Sequence, residues 1–160
     1  MKILLFTMIT LICQSLQGQT KNETKNWIIE KHDNYRRLEN SKNEIKFEDN
    51  HLIYLKYFYG YQYEKISIKN IREIGIKKVR YSEINEECYV LTLKGIGKEY
   101  GYFENAEYTK TGTYENEEGE VTILLNIDFG EDNLPKRMEK AFIKLITLHG
   151  GKPKILKETF

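Results

Sequence analysis

Three histidines, a surplus of carboxylates and a dense patch of tyrosine are the features of this sequence that invite a chemical reading. His32, His51 and His149 fall in three separate segments. None has a second His or a carboxylate four residues on, the spacing that puts two metal ligands on one helical face. "NEEC" and "YENEEGE" gather acids, but without the regular Asp/Asn spacing, central glycine and closing Glu of a calcium loop, so they read as solvated charge. There is no Gly-x-Ser-x-Gly elbow, no phosphate-cradling glycine loop and no nucleophile beside a base. The expectation is therefore no catalytic residue, no metal ligand and no cofactor. Chemistry, if present, is recognition.

The recognition candidate is "YLKYFYGYQY", which holds five of the 12 tyrosines between Tyr54 and Tyr63. Strand alternation places Ile53, Leu55, Tyr57, Tyr59, Tyr61 and Tyr63 on one face, and Leu52, Tyr54, Lys56 and Phe58 on the other. Gly60 is expected to bend or bulge the strand near its middle. Tyrosine suits half-buried strand positions, because its ring packs while its hydroxyl reaches water. With both faces largely apolar, the stretch reads as a core wall, covered by a barrel interior on one side and the amino-terminal helix on the other. The alternative is an aromatic platform for a glycan, peptide or lipid, with Tyr59, Tyr61 and Tyr63 exposed.

These residues must be positioned by the elements around them. "TKNETKNWIIEKHDNYRRLE" opens as a helix, with Thr20 and Glu23 forming a capping box. Trp27, Ile28, Tyr35 and Leu38 give it an apolar stripe, and Trp27 is expected to dock it on the sheet. From Ile45 to Phe129 the period is two. "EIKFED" and "HLIYLKYFY" read as a hairpin turning at Asp49-Asn50, followed by "YEKISIKNI", "IREIGIKKVRY", "ECYVLTLKG", "KEYGYFE" and "EVTILLNIDFG". The polar stretch 105–119 reads as a long mobile loop. Lys77, Lys78 and Arg80 are expected to guard a strand edge against pairing. In "DNLPKRMEKAFIKLITLHGG", Asn133 is the expected N-cap and Pro135 sits in the first turn. Leu134, Met138, Ala141, Phe142, Leu145 and Ile146 form the buried face, and Gly150-Gly151 stops the helix.

The ends set location. "MKILLFTMITLIC" followed by "QSLQGQ" has the layout of a secretory signal peptide, too short in its apolar run to span a bilayer as a helix. Cleavage is expected after Gly18, giving residues 1–18 as signal peptide, 19–151 as one domain and 152–160 as a loosely ordered basic tail. A lipid anchor at Cys13 is the lesser alternative, since Ile12 stands where a lipobox wants a small residue. The leader carries only Lys2, so removing it takes the formal net charge of +1 to neutral. A neutral chain without a basic block argues against nucleic acid. Cys88 is then the one cysteine left, which excludes an intramolecular disulfide, and "ECYVLTL" reads as a strand burying it.

"KNETKNWIIEK" and "LPKRMEKAFIKLITLHGG" resemble the two ends of small exported proteins of unknown function from Bacteroidetes-type bacteria, with a Thr-x-x-Trp helix first and a Lys-Ala-Phe core in the closing helix. The middle, with "KISIKNIREIGI" as strand–turn–strand, looks like a pleckstrin-homology-like barrel. The resemblance implies an α+β domain of about seven antiparallel strands, as barrel or sandwich, with an N-terminal and a C-terminal helix packed on it. It carries over no phosphate-binding residue, because the first turn, "FEDNHL", is acidic. The functional expectation is an exported, non-enzymatic binding or scaffolding module of the bacterial envelope, periplasmic or extracellular, with no stable membrane span and another envelope protein as partner. The rival expectation is a carrier holding a small apolar ligand between barrel and amino-terminal helix, in a cavity lined by Trp27, Tyr57 and Phe142.

Overall fold

In the computed structural model, which describes residues 20–36, 42–57, 61–81, 86–104 and 107–156, the first described element is helix α1 (Lys21–Tyr35). The side chains at 57, 61, 81, 103, 104 and 114–117 lie outside that description, as do the leader with Cys13 and Gly18, Leu38 and Tyr59. Thr20 caps α1 as its sequence requires. Its hydroxyl accepts from the Glu23 N–H at 3.2 Å, and the Glu23 carboxylate accepts from the Thr20 N–H. The buried stripe of α1 is Thr24, Ile28 and His32, an i, i+4, i+8 row. Trp27 stands beside that row, half-buried, with the Arg137 guanidinium 5.6 Å from its ring centre. Ile28 is the fully buried residue here, while Trp27 packs at the border of the same core and meets the closing helix.

Seven strands follow: β1 (Glu44–Glu48), β2 (His51–Tyr57), β3 (Tyr61–Ser67), β4 (Ile71–Tyr81), β5 (Glu86–Glu104), β6 (Glu107–Leu125) and β7 (Lys154–Ile155). They form one sheet ordered β1-β2-β3-β5-β4-β7, with β6 on the other side of β5. All pairings are antiparallel except that of β7, which runs parallel to β4. The class is α+β, as expected. The sheet is not closed: among the described residues β1 pairs with β2 alone, and β6 with β5 apart from one bridge of Leu125 to Arg36, so the barrel expectation is corrected to an open sheet.

The path explains the opening. Because β6 covers one edge of β5 along its length, β3 and β4 must share the other edge end to end. Residues 62–65 pair with 99–102, and 71–81 pair with 86–95. At the junction the chain makes a 3₁₀ turn, Ile68–Asn70, while Gly97 of β5 takes φ +72°. The β5–β6 register skips there from Ile96↔Glu118 to Lys98↔Tyr114. Such bulges bend a strand and increase its twist. The sheet therefore has two wings: β4 with the first half of β5 and the last part of β6, and β1–β3 with the remaining halves.

Helix α2 (Leu134–Leu148) closes the chain against this sheet. Asn133 is its N-cap with φ 58°, yet its side chain makes no capping bond; Pro135 sits in the first turn, as expected. Gly150 (φ +85°) and Gly151 end the helix, whose Ile146 carbonyl accepts from the Gly151 N–H at 2.9 Å. Leu134, Met138, Phe142, Leu145 and Ile146 share one core with Ile28 of α1 and with Leu52, Ile74, Leu93 and Ile123 of the sheet. Both helices thus contribute to the same core, instead of α1 covering the outside. Three other readings are also revised. "ECYVLTLKG" and "KEYGYFE" are one strand, β5; the stretch 107–119, read as a mobile loop, is strand β6; and residues 154–155 of the tail pair with β4. No helix among the described residues is long and apolar enough to cross a membrane.

Candidate functional site

The tyrosine stretch divides between two faces of β2 and β3, as alternation requires. Leu52 and Tyr54 belong to the main core, whereas Ile53, Leu55 and Tyr63 form a second cluster on the opposite face, covered by Tyr108 of β6. The Tyr63 and Tyr108 rings meet edge-on, with centres 5.0 Å apart. Tyr63 donates its hydroxyl to Glu99 Oε1 at 2.6 Å, and Tyr108 donates to Glu48 Oε1 at 3.0 Å. Burial and then the carboxylate acceptor push both phenols upward, Tyr108 to about 12, so each stays a protonated donor: Tyr63 ties β3 to β5, and Tyr108 ties β6 back over β1. Tyr63→Phe should cost about 1.5 kcal/mol by leaving Glu99 without this donor, measured as a lower urea midpoint at unchanged slope.

The described candidate residues fall in three places and not in one site. Phe142 is in the main core at 0% exposure and Tyr63 is at 1% on the opposite face. Trp27 lies at the α1–α2 contact, the backbones of Tyr57 and Tyr61 face each other across the β2–β3 pair, and Tyr59 lies outside the described residues. Cys88 is buried, as expected.

Two surface depressions appear instead. One is a groove of about 520 Å³ between α1 and β1, lined by Ile29, Asp33, Arg36, Ile45 and Phe47 and rimmed by charge from Glu44, Lys46 and Glu48. His32 is buried near it at 1% exposure, its Nδ1 3.1 Å from Asp33 Oδ1 and its ring edge-on to Tyr54. Its Nε2 has no protein partner among the described residues. Burial lowers the His32 pKa below 6.5; Asp33 and Glu44 oppose that shift and Arg36 adds to it. The unfolded chain binds a proton near pH 6.5 while the folded chain waits for lower pH. Stability from this group is therefore complete above 6.5 and is lost as the pH falls through that value. His51 and His149 shift the same way, so His32→Leu should flatten, without abolishing, the acid slope of unfolding free energy. His149, just past the carboxyl end of α2, is held toward neutrality by burial and by Lys21 and Lys25.

The second depression, about 320 Å³, lies on the β3–β5–β6 wing. Pairing sets Gln62 opposite Tyr102 and Glu64 opposite Tyr100, and Tyr100 opposite Gly112 on β6. A Cβ at Gly112 would lie 2.7 Å from the Tyr100 hydroxyl, so the glycine leaves room for that ring. Lys56 Nζ lies 2.7 Å from Glu64 Oε2, while Lys98 donates to Glu64 Oε1 and to the Glu120 carbonyl, each at 2.8 Å. Tyr100 and Tyr102 are 38% and 49% exposed. The sequence held a signal for this surface: Lys98, Tyr100 and Tyr102 alternate in "KEYGYF". It was hidden by the denser tyrosine run upstream.

Along β6, Glu107, Thr109, Lys110, Thr111, Glu118 and Glu120 are exposed, and among the described residues β5 is its only strand partner apart from one bridge, Leu125 with Arg36. The guarding role expected of Lys77, Lys78 and Arg80 fits their place on β4: beyond the β7 pairing, β5 is the one strand beside them, and the Ile76 N–H donates to Glu139 of α2 at 3.2 Å. Among the described residues no three His, Cys, Asp or Glu side chains gather as a metal site. No family model, no curated protein and no solved structure matches this chain.

Proposed function

We propose that the chain is an exported, non-enzymatic binding or scaffolding module of the bacterial envelope, whose partner is another envelope protein that adds a strand to β6. The observation that carries this reading is the edge of the 19-residue strand β6, which among the described residues is paired to a strand on one side only, apart from the single bridge of Leu125 with Arg36. An extended peptide gains main-chain hydrogen bonds at such an edge, and its alternate side chains supply specificity. Exposed Glu107, Glu118 and Glu120 outnumber Lys110 there, which favours a neutral or basic segment. The pleckstrin-homology-like lineage belongs to the same proposal, supported by the bent antiparallel sheet and its closing helix. So does kinship with small exported Bacteroidetes-type proteins, supported by Thr24 and Trp27 in α1 and by Lys140-Ala141-Phe142 in α2.

Photo-cross-linkers placed at Thr109 and Glu118 in the host envelope test the docking edge. One protein captured from both positions, and not from Lys69 on the 3₁₀ turn, is the expected result; capture from neither removes the reading. An intact mass beginning at Gln19 is expected for export, whereas a diacylated mass beginning at Cys13 would replace it with a lipoprotein.

The α1–β1 groove favours a second reading, a carrier of a small apolar ligand, since it lies between sheet and amino-terminal helix. Its apolar lining is Ile29, Ile45 and Phe47, beside five charged residues, and not the expected Trp27, Tyr57 and Phe142. Native mass spectrometry decides between them: a stoichiometric small adduct lost in Phe47→Ala supports the carrier, and a bare mass removes it.

A further inference from the structure

We propose that the depression on the β3–β5–β6 wing is a saccharide-binding site that takes one neutral pyranose ring of a glycan. Two tyrosines at alternate positions of β5 present exposed rings, and the C–H face of a pyranose packs on such rings while its hydroxyls stay at the edge. Around them stand the Gln62 amide, the Thr111 hydroxyl, the Lys56 ammonium and the Glu64 carboxylate. A sugar hydroxyl both donates and accepts, so a rim mixing donors with an acceptor suits vicinal hydroxyls.

The same geometry disfavours other ligands. Glu64 contacts both Lys56 and Lys98 and offsets one of their two positive charges, which reduces the field available to a phosphate or carboxylate. Three charged side chains in the lining disfavour an apolar ligand. The volume of about 320 Å³ falls at the small end of ligand pockets, near 300–1,000 Å³. Glu64 is also fixed before any ligand arrives, between Lys56 and a Lys98 that is itself anchored on the Glu120 carbonyl. Such preorganisation reduces the ordering cost of binding. No aromatic side chain in this lining lies in the main core, so substitutions at Tyr102 and Gln62 leave the fold in place.

Saturation-transfer NMR of the intact protein with the methyl glycosides of glucose, galactose, mannose and N-acetylglucosamine tests the site. At least one should show transfer to its ring C–H protons. Tyr102→Ala should weaken that ligand by about tenfold, Gln62→Ala should weaken it measurably, and Tyr108→Phe on the opposite face should leave it unchanged. Absence of transfer from all four sugars, or transfer that survives both Tyr102→Ala and Gln62→Ala, overturns the proposal. Thr109 lies opposite Tyr102 across the β5–β6 pair, so Glu118, opposite Ile96, is the cross-linking position that is separate from the site. Sugar binding without cross-links keeps this inference and removes the protein-partner reading; cross-links without sugar binding do the reverse.

Discussion

Phe142→Ala is expected to lower stability by about 3–5 kcal/mol, the range for removing a large ring from a packed core. The ring has 0% exposure and shares its core with Ile28 of α1, Ile74 of β4 and Phe129 of the 3₁₀ segment Ile127–Asn133. Urea unfolding reads the loss as a lower midpoint at nearly constant slope. Lys140→Ala, on the exposed side of the same helix, should stay within about 0.5 kcal/mol of the parent. The comparison also bears on the carrier reading. Were Phe142 the wall of a ligand cavity, its truncation would enlarge a space already present and cost far less. A loss below about 1 kcal/mol would therefore contradict a packed core at this position.

The second large effect is expected at Gly95, where β3 gives way to β4 along the edge of β5. A Cβ there would lie 2.4 Å from the Asn70 carbonyl oxygen and 2.8 Å from Ile66 Cδ1. The nearer of these is backbone, and it belongs to the 3₁₀ turn that bends the sheet, so it cannot give way without moving the junction. Gly95→Ala should cost about 1–3 kcal/mol, as overpacking does. Gly150→Ala offers the contrast. Nothing lies within 4 Å of a Cβ at that position, and the penalty there is only that of φ +85°, about 1 kcal/mol. Thermal unfolding of the two variants side by side separates a steric clash from a conformational strain. Equal melting temperatures would mean that the β3–β4 junction yields.

Elements whose signals are local were legible in the sequence. The Thr20–Glu23 box, the Asp49-Asn50 turn and the Gly150-Gly151 stop depend on residues within a few positions of one another, and each stands where its chemistry puts it. Alternation through Leu52, Ile53, Tyr54 and Leu55 likewise sorted the two faces of β2 correctly. What the chain hid is long-range. The first part of β6 looks like a loop because "EYTKTGTYENEEG" lacks apolar alternation; pairing with β5 holds it as a strand, and Tyr108 packs that part against the second cluster. Gly97 looks like the end of a strand, yet its left-handed φ carries a bulge and β5 continues beyond it. Trp27 drew attention by size, although the i, i+4 row of Thr24, Ile28 and His32 decides which side of α1 is buried. The candidate binding surface suffered the same way: Tyr100 and Tyr102 matter because β3 sets Gln62 and Glu64 opposite them, and no local pattern reports that pairing.

The account rests most heavily on β6 as a docking edge, and amide hydrogen exchange tests that claim most directly. Exchange would be followed along 107–125 in the free protein and in its reconstituted complex with the protein cross-linked at Thr109. The account predicts that the β6 amides not bonded to β5 exchange fast in the free protein and slow markedly in the complex, while the β1 amides keep their rates. Unchanged exchange along β6, with protection arising at β1 or at the α1–β1 groove instead, would contradict it.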